Sequence, residues 1–177
     1  MTMLVPNFAE ALIVRESEAE TFGFAQLMTR LLADGSDTGG ALSTMRTTMG
    51  RGVEGAKPHT HNQSAELFYV IDGELQMLAG EKVITARKGD MVVVPPNMAH
   101  AFATTPTHTA DFLIVQAPGL DRFGYFRLAE RVMKGEATQA DLIASQELYD
   151  NHFMDSPAWR AARDNANSPK IVAEGEI

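Results

Sequence analysis

The chain has 177 residues, a formal net charge of −8 and no cysteine. This length suits one well-buried core, so a single domain is the simplest expectation. The negative charge makes nucleic acid and anionic membranes poor partners, and the lack of cysteine excludes disulfides and thiolate metal ligands. With no basic leader and no run of about 18 apolar residues, the sequence predicts a soluble, cytoplasmic protein.

Residues 1–40 predict an N-terminal arm followed by a first strand. Charged side chains crowd positions 15–20. This part is therefore interpreted either as an edge strand near residues 11–14 or as an arm that packs on a partner subunit. Residues 26–32 predict the first clear strand, and the glycine- and aspartate-rich residues 33–40 predict a loop after it.

Residues 41–118 predict the core of a β-barrel, because short alternating or apolar runs follow one another between turn residues. The runs lie at 41–49, 67–71, 75–79, 82–86, 91–94, 101–104 and 110–117. Asp72-Gly73 has the composition of a tight hairpin turn, so the runs on either side are predicted to pair. With the strand at residues 26–32 and a short one at residues 59–61, the total is about eight or nine strands, which predicts an all-β, antiparallel barrel or double-sheet jelly roll.

Residues 119–177 predict a helical appendage, since the hydrophobic period lengthens to three or four residues. The apolar positions between 123 and 133 predict a helix that ends at Gly135. Thr138 and Asp141 have the spacing of a capping box for a second helix to about residue 150, and Ser156-Pro157 begins a third. We expect the appendage to pack on the barrel; the alternative is a lid over the barrel mouth.

Four residues predict a metal site. Side chains at i and i+2 of a strand share a face, so His59 and His61 point into one space. Glu66 opens the next strand after the turn at residues 62–64, and the break at residues 95–97 allows His100 to arrive from across the sheet. Three imidazoles and one carboxylate suit a divalent transition metal, with Fe, Mn, Ni, Co, Cu and Zn as the candidates.

These segments resemble the two motifs of the cupin superfamily. The first motif is Gly-x5-His-x-His-x4-Glu-x6-Gly, which His59, His61, Glu66 and Gly73 match. The second is Gly-x5-Pro-x-Gly-x2-His-x3-Asn, which Gly89, Pro95 and His100 match. Val53, Asn97 and Thr104 depart from the pattern, and Asn97 is a mild change because Asn tolerates a left-handed turn. The resemblance implies a cupin-type antiparallel β-barrel with a metal in its mouth.

Within the superfamily, the chain resembles the single-barrel, quercetinase-like proteins. The similarity lies in the complete ligand set and in Gln116-Ala117-Pro118-Gly119, which leads into Leu120-Asp121-Arg122-Phe123. It implies a metal-dependent dioxygenase that acts on a flavonol-like or other enolic aromatic or natural-product molecule. Glu66 is then expected to bind the metal and also to take a proton from the substrate hydroxyl.

Strand phase predicts an apolar substrate pocket. Its candidate wall residues are Met45, Phe68, Val70, Met77, Met91, Val93, Phe102 and Phe112. The basic residues expected near the site are Arg46, Arg51 and Lys57. Two alternatives to the dioxygenase stay open: a non-redox cyclase or isomerase in which the metal polarises a carbonyl, and a non-catalytic small-molecule binder. A homodimer is expected, because it would cover the edge strands of a small barrel.

Overall fold

Short antiparallel strands occupy the first two thirds of the chain. The computed structural model describes residues 9–24 and 26–167, and within them helices follow the strands. The strands are β1 (Glu20–Phe24), β2 (Leu27–Ala33), β3 (Ser43–Met49), β4 (His59–Thr60), β5 (Ala65–Ala79), β6 (Lys82–Arg87), β7 (Met91–Val94), β8 (His100–Ala103), β9 (Ala110–Ala117) and β10 (His152–Phe153). The helices are α1 (Phe123–Met133), α2 (Gln139–Ala144), α3 (Gln146–Tyr149) and α4 (Pro157–Asn167), with a 3-10 turn at Ser36–Thr38. The predicted all-β fold with C-terminal helices is confirmed.

The long strand β5 connects the two halves of the barrel. Its first half pairs with β9 and β7, and its second half pairs with β6 and β8. On one side the order continues through β9, β3 and β2 to β1, and on the other through β8 and β4 to β10. The strands that precede residue 41 and the strand β10 that follows residue 118 therefore join the same sheets as the central strands.

The hairpin predicted at Asp72-Gly73 is wrong. The chain does not reverse there; β5 continues through both residues, with a shift in its pairing with β9 between Val70 and Asp72. Gly73 has φ 78°, and a Cβ at this position would collide with the carbonyl oxygen of Thr109. Glycine is required because the strand bends here as it passes from one set of partners to the other.

Alternating side chains of β3, β5 and β9 fill the space between the sheets. Phe68, Leu75, Met77 and Phe112 have no exposed surface, and Met45 and Met49 on β3 are buried beside them. Each such side chain contributes about 1.5–3 kcal/mol relative to an exposed one. This core holds the strands whose ends carry the site.

The appendage matches its predicted caps better than its predicted lengths. Thr138 and Asp141 form the capping box of α2, but the helix breaks at Ser145 and resumes as α3. Ser156 caps α4, where its hydroxyl oxygen accepts the N–H of Trp159. The alternative of an edge strand near residues 11–14 is wrong, because the chain has no strand before Glu20 within its described part; residues 1–8 of the predicted arm lie outside that part.

Among residues 9–24 and 26–167, no helix is long and apolar enough to cross a membrane.

Candidate metal centre

Four buried side chains converge between the two halves of the barrel. His59 on β4 pairs across the ladder with His100 on β8, His61 follows β4, and Glu66 lies near the start of β5. Each is at most 6% exposed, and one candidate ligand atom from each lies within 4.8 Å of the others. The structure therefore brings together all four predicted ligands.

Backbone carbonyl groups orient the three imidazole rings. In each ring Nδ1 lies within hydrogen-bond distance of a carbonyl oxygen. A carbonyl only accepts, so Nδ1 carries the proton and the Nε2 lone pair remains available to a metal. The carbonyl partners are Lys57 for His59 (2.7 Å), Asp150 for His61 (2.5 Å) and Met98 for His100 (2.9 Å).

Gln116 orients the carboxylate of Glu66. Its Nε2 donates to Glu66 Oε1 over 2.9 Å, while its own Oε1 accepts from the Ser43 hydroxyl over 3.3 Å. The other carboxylate oxygen, Oε2, lies 2.8 Å from Nε2 of His100 and 3.6 Å from Nε2 of His61. Burial would raise the pKa of Glu66, but the nearby His61 and His100 hold that pKa well below its ordinary value. Glu66 is therefore an ionised ligand at neutral pH.

The protonation of the histidines also suits a metal. Burial lowers the pKa of His59 far below 6.5 and lowers that of His61 as well. Burial acts in the same direction on His100, but its contact with the Glu66 carboxylate raises the pKa above the ordinary value. A metal ligand must present a lone pair, which the neutral rings of His59 and His61 already do.

The four side chains have donor atoms that fit a transition-metal ion. Nε2 of His100 is buried and makes no hydrogen bond within the described part of the chain, even though the Glu66 carboxylate is close. Three nitrogen donors and one carboxylate oxygen, with no sulfur, match first-row transition metals rather than Mg²⁺ or Ca²⁺. His59, His61, Glu66 and His100 could thus hold one divalent ion, whose identity the donors do not select.

Two adjoining cavities share part of their lining, and the smaller one reaches this centre. The inner cavity, of about 80 Å³, is lined by His59, His61 and Glu66 together with residues of β2, β3, β8 and β9. The outer cavity measures about 360 Å³ and has α1 and α2 as one wall. Tyr125 and Phe126 of α1 contact both. The appendage therefore packs on the barrel and also forms part of the cavity wall.

The predicted pocket residues divide into three groups. Met45 and Phe102 line the inner cavity, where substrate contact by these side chains stays a prediction. Phe68, Val70, Met77 and Phe112 have no exposed surface and lie in the core, outside the cavity lining. Met91 and Val93 are 61% and 54% exposed, so their prediction as wall residues is wrong: on β7 it is Val92 and Val94 that pack inward. The six residues other than Met91 and Val93 share the inward strand face, which extends deeper into the barrel than the cavity does.

Sequence reasoning missed the basic residue that lies closest to the ligands. Arg122 is 5% exposed, and its Nη1 lies 3.2 Å from Nε2 of His61. Of the basic residues expected near the site, Lys57 lines both cavities, Arg46 forms an ion pair with Asp111 and Arg51 is exposed. The only signal for Arg122 was its place in the segment after Pro118-Gly119, where no local pattern indicates burial.

Asp150 was also missed, although it positions the loop that carries His61. Its carboxylate oxygens accept the backbone N–H groups of Asn62 and Gln63 over 2.8 and 2.9 Å. Its carbonyl is the one that binds His61. The residue adopts a left-handed conformation with φ 49° at the end of α3, so the appendage takes part directly in building the candidate metal centre.

Comparison with known proteins agrees with this architecture. Residues 45–116 match the family model of the Cupin domain. A search of curated proteins finds no significant match.

Solved structures resemble the chain at low identity. A Streptomyces PAC13 variant with uridine is 14% identical and has a TM-score of 0.52, over 63% of this chain and 86% of that one. An RmlC-like cupin from Shewanella frigidimarina is 17% identical, with a TM-score of 0.51 over 62% and 93%. A predicted oxalate decarboxylase from Thermotoga maritima is 19% identical, with a TM-score of 0.53 over 59% and 97%. These likenesses show the fold, a barrel of the kind that the match of residues 45–116 to the Cupin domain model also indicates.

Proposed function

We propose that the protein is a metal-dependent dioxygenase that cleaves a flavonol-like or other enolic aromatic or natural-product molecule. The observation that carries the proposal is the buried group of His59, His61, Glu66 and His100 at the inner end of a largely apolar cavity. Four protein ligands leave positions open on a five- or six-coordinate ion, which a substrate oxygen and dioxygen require.

Glu66 would remove the proton from the substrate hydroxyl. Its carboxylate borders the inner cavity, and Gln116 holds one of its oxygens in place. Because the pKa of Glu66 is well below its ordinary value, Glu66 is a weak base. It accepts a proton only from an acidified hydroxyl, and a bound redox-active metal would supply that acidification together with electron transfer to dioxygen.

The cavity walls would select and shield the substrate. The outer cavity, at about 360 Å³, has the size of a small-molecule pocket. Phe102 and Phe126 line both cavities and offer flat apolar surfaces to an aromatic ring. Their burial of the ring would keep water from the reacting atoms, which protects reactive intermediates from hydrolysis.

A non-redox enzyme is the second candidate. The observation in its favour is that the fold neighbour Pac13 is described as a nucleoside dehydratase. The same ligands suit zinc, which would polarise a carbonyl for cyclisation, isomerisation or elimination, with Glu66 as the proton carrier. The metal found in the native protein separates the two candidates, since zinc does not exchange electrons with dioxygen.

Oxygen uptake by the metal-loaded protein tests the proposal. The parent, loaded separately with Fe, Mn, Co, Ni, Cu or Zn, is mixed with a panel of flavonols and other phenolic enols in an oxygen electrode. We expect uptake with at least one redox-active metal and none with zinc. Glu66→Gln should lower the rate by about 10²–10⁴-fold. Glu74→Gln is the matched control, because Glu74 lies on the same strand but bonds to Arg87 outside the cavities. Turnover with zinc alone would support the non-redox candidate, and binding without turnover under any metal would support a binder.

A further inference from the structure

Arg122 is held in place at the wall of the inner cavity. It immediately precedes α1, and its backbone N–H donates to Oδ1 of Asp34 over 2.6 Å. The neighbouring N–H of Phe123 donates to the other oxygen of the same carboxylate over 3.2 Å. The loop after β2 thus anchors the start of the helix, and this anchoring sets the position from which the Arg122 side chain enters the cavity lining.

Among the described residues, no counter-charge is in contact with the guanidinium of Arg122. Nε is buried with no hydrogen-bond partner, and Nη2 makes only a long 3.3 Å bond to the amide oxygen of Asn151. Nη1 donates to Nε2 of His61 over 3.2 Å. Within residues 9–24 and 26–167 no carboxylate forms an ion pair with this side chain; Glu66, Asp150 and Asp34 act on it only at longer range.

A metal ion would leave Arg122 with even fewer partners. The single lone pair on Nε2 of His61 cannot bind a metal and accept a hydrogen bond from Arg122 together. Loading the centre would therefore deprive Nη1 of its acceptor. A divalent ion and a guanidinium would also outweigh the one carboxylate ligand, so the buried site would carry excess positive charge. Unpaired buried charge is costly, and an anion in the cavity would relieve it.

We propose that Arg122 binds a carboxylate group of the substrate beside the metal centre. The substrate would then be an enolic or phenolic carboxylate, with the acid group near the hydroxyl that Glu66 deprotonates. This inference rests on the proposed function, because it concerns the substrate of that same site. The planar guanidinium presents donors in a fork that matches a carboxylate, and the inner cavity of about 80 Å³ suits a group of that size.

Calorimetric titration with matched ligands tests the inference without turnover. The parent, both metal-free and zinc-loaded, is titrated with salicylate, with its uncharged analogue salicylamide and with inorganic phosphate. We expect salicylate to bind more tightly than salicylamide by about tenfold to a hundredfold, since a charge-assisted bidentate hydrogen bond distinguishes them. Phosphate should bind more weakly than salicylate, because it lacks the ring that the apolar wall would hold.

Variants assign the preference to the residue. Arg122→Gln and Arg122→Lys should lose most of the preference for salicylate while they bind salicylamide about as the parent does. Arg127→Gln is the matched control, since it also replaces an arginine by glutamine but at an exposed position of α1, where Arg127 pairs with Glu20. If Arg122→Gln fails to fold, the affinities of the parent and of Arg122→Lys for salicylate and salicylamide still show whether the preference for the carboxylate depends on Arg122.

Each outcome bears on one proposal. Equal affinity for salicylate and salicylamide in the parent would overturn the carboxylate site, and so would an unchanged preference in folded Arg122 variants. Phosphate binding tighter than salicylate would also overturn it, in favour of a phosphate site. A clear, Arg122-dependent preference for carboxylate in a protein that consumes no oxygen would instead leave this site standing and refute the dioxygenase.

Discussion

Replacement of Gln116 by Leu tests how much the hydrogen bond from Gln116 to Glu66 contributes to metal binding. Gln116 is fully buried, and its amide donates to Glu66 Oε1 over 2.9 Å, so Leu removes the donor while it keeps a side chain of similar size. A hydrogen bond to a charged group contributes about 1.5–3 kcal/mol. At about 1.4 kcal/mol per tenfold change, this corresponds to a loss of roughly tenfold to a hundredfold in metal affinity.

Competition with a chromophoric chelator measures that loss directly. Thermal melting of the metal-free variant should also show lower stability, because the buried carboxylate keeps its charge and loses a donor. Ser43→Ala is the control: it removes only the long 3.3 Å contact to Gln116 and should change metal affinity little. The reasoning is refuted if the parent, Gln116→Leu and Ser43→Ala all bind metal with the same affinity.

Three further predictions concern the packing of Phe126, the charge of the buried histidines and the exposed face of β7. Phe126→Ala should lower the free energy of unfolding, measured by chemical denaturation, by about 1–3 kcal/mol, less than for a fully buried Phe because Phe126 is only partly buried. It should also weaken ligand binding, since Phe126 lines the cavity; unchanged ligand affinity would mean that α1 only packs on the barrel. The metal-free protein should lose stability as the pH falls below about 6.5, because the pKa values of His59 and His61 are lowered in the folded state and the unfolded chain takes up protons first. The pKa of His100 is raised in the folded state, so its contribution to stability is lost as the pH rises above about 6.5. Chemical denaturation at a series of pH values should therefore show the greatest stability near that pH. Val93 is 54% exposed on β7, whose one partner among the described strands is β5, so we expect a second copy of the chain to cover this edge. Light scattering should show a dimer that Val93→Lys dissociates, and a monomeric parent would exclude this interface.

The metal ligands could be predicted because local rules determine their geometry. His59 and His61 are two residues apart at a strand, and the break after β7 returns the chain so that His100 pairs opposite His59. Asn97 adopts φ 65° in that break, as expected for an Asn that replaces Gly. Its N–H donates to the carbonyl of His61 over 2.7 Å, which ties the two motifs together.

The surroundings of the ligands could not be predicted, because they come from distant parts of the chain. Arg122 and Asp150 reach His61 across 61 and 89 residues of sequence, and neither lies in a pattern that indicates burial. The hairpin prediction at Asp72-Gly73 failed for a related reason. The same glycine conformation serves a tight turn or a bent continuous strand, and only the pairing of β5 with β9 distinguishes them.

Metal analysis of protein purified without an affinity tag tests the central claim most directly. The parent should contain one transition-metal ion per chain, bound by His59, His61, Glu66 and His100. His100→Ala should lose stoichiometric metal, because three ligands remain of the four. His108→Ala should retain it, since that side chain is 50% exposed and lies beside Glu74 outside the centre. Metal binding by His100→Ala at the parent's affinity and stoichiometry would contradict the account.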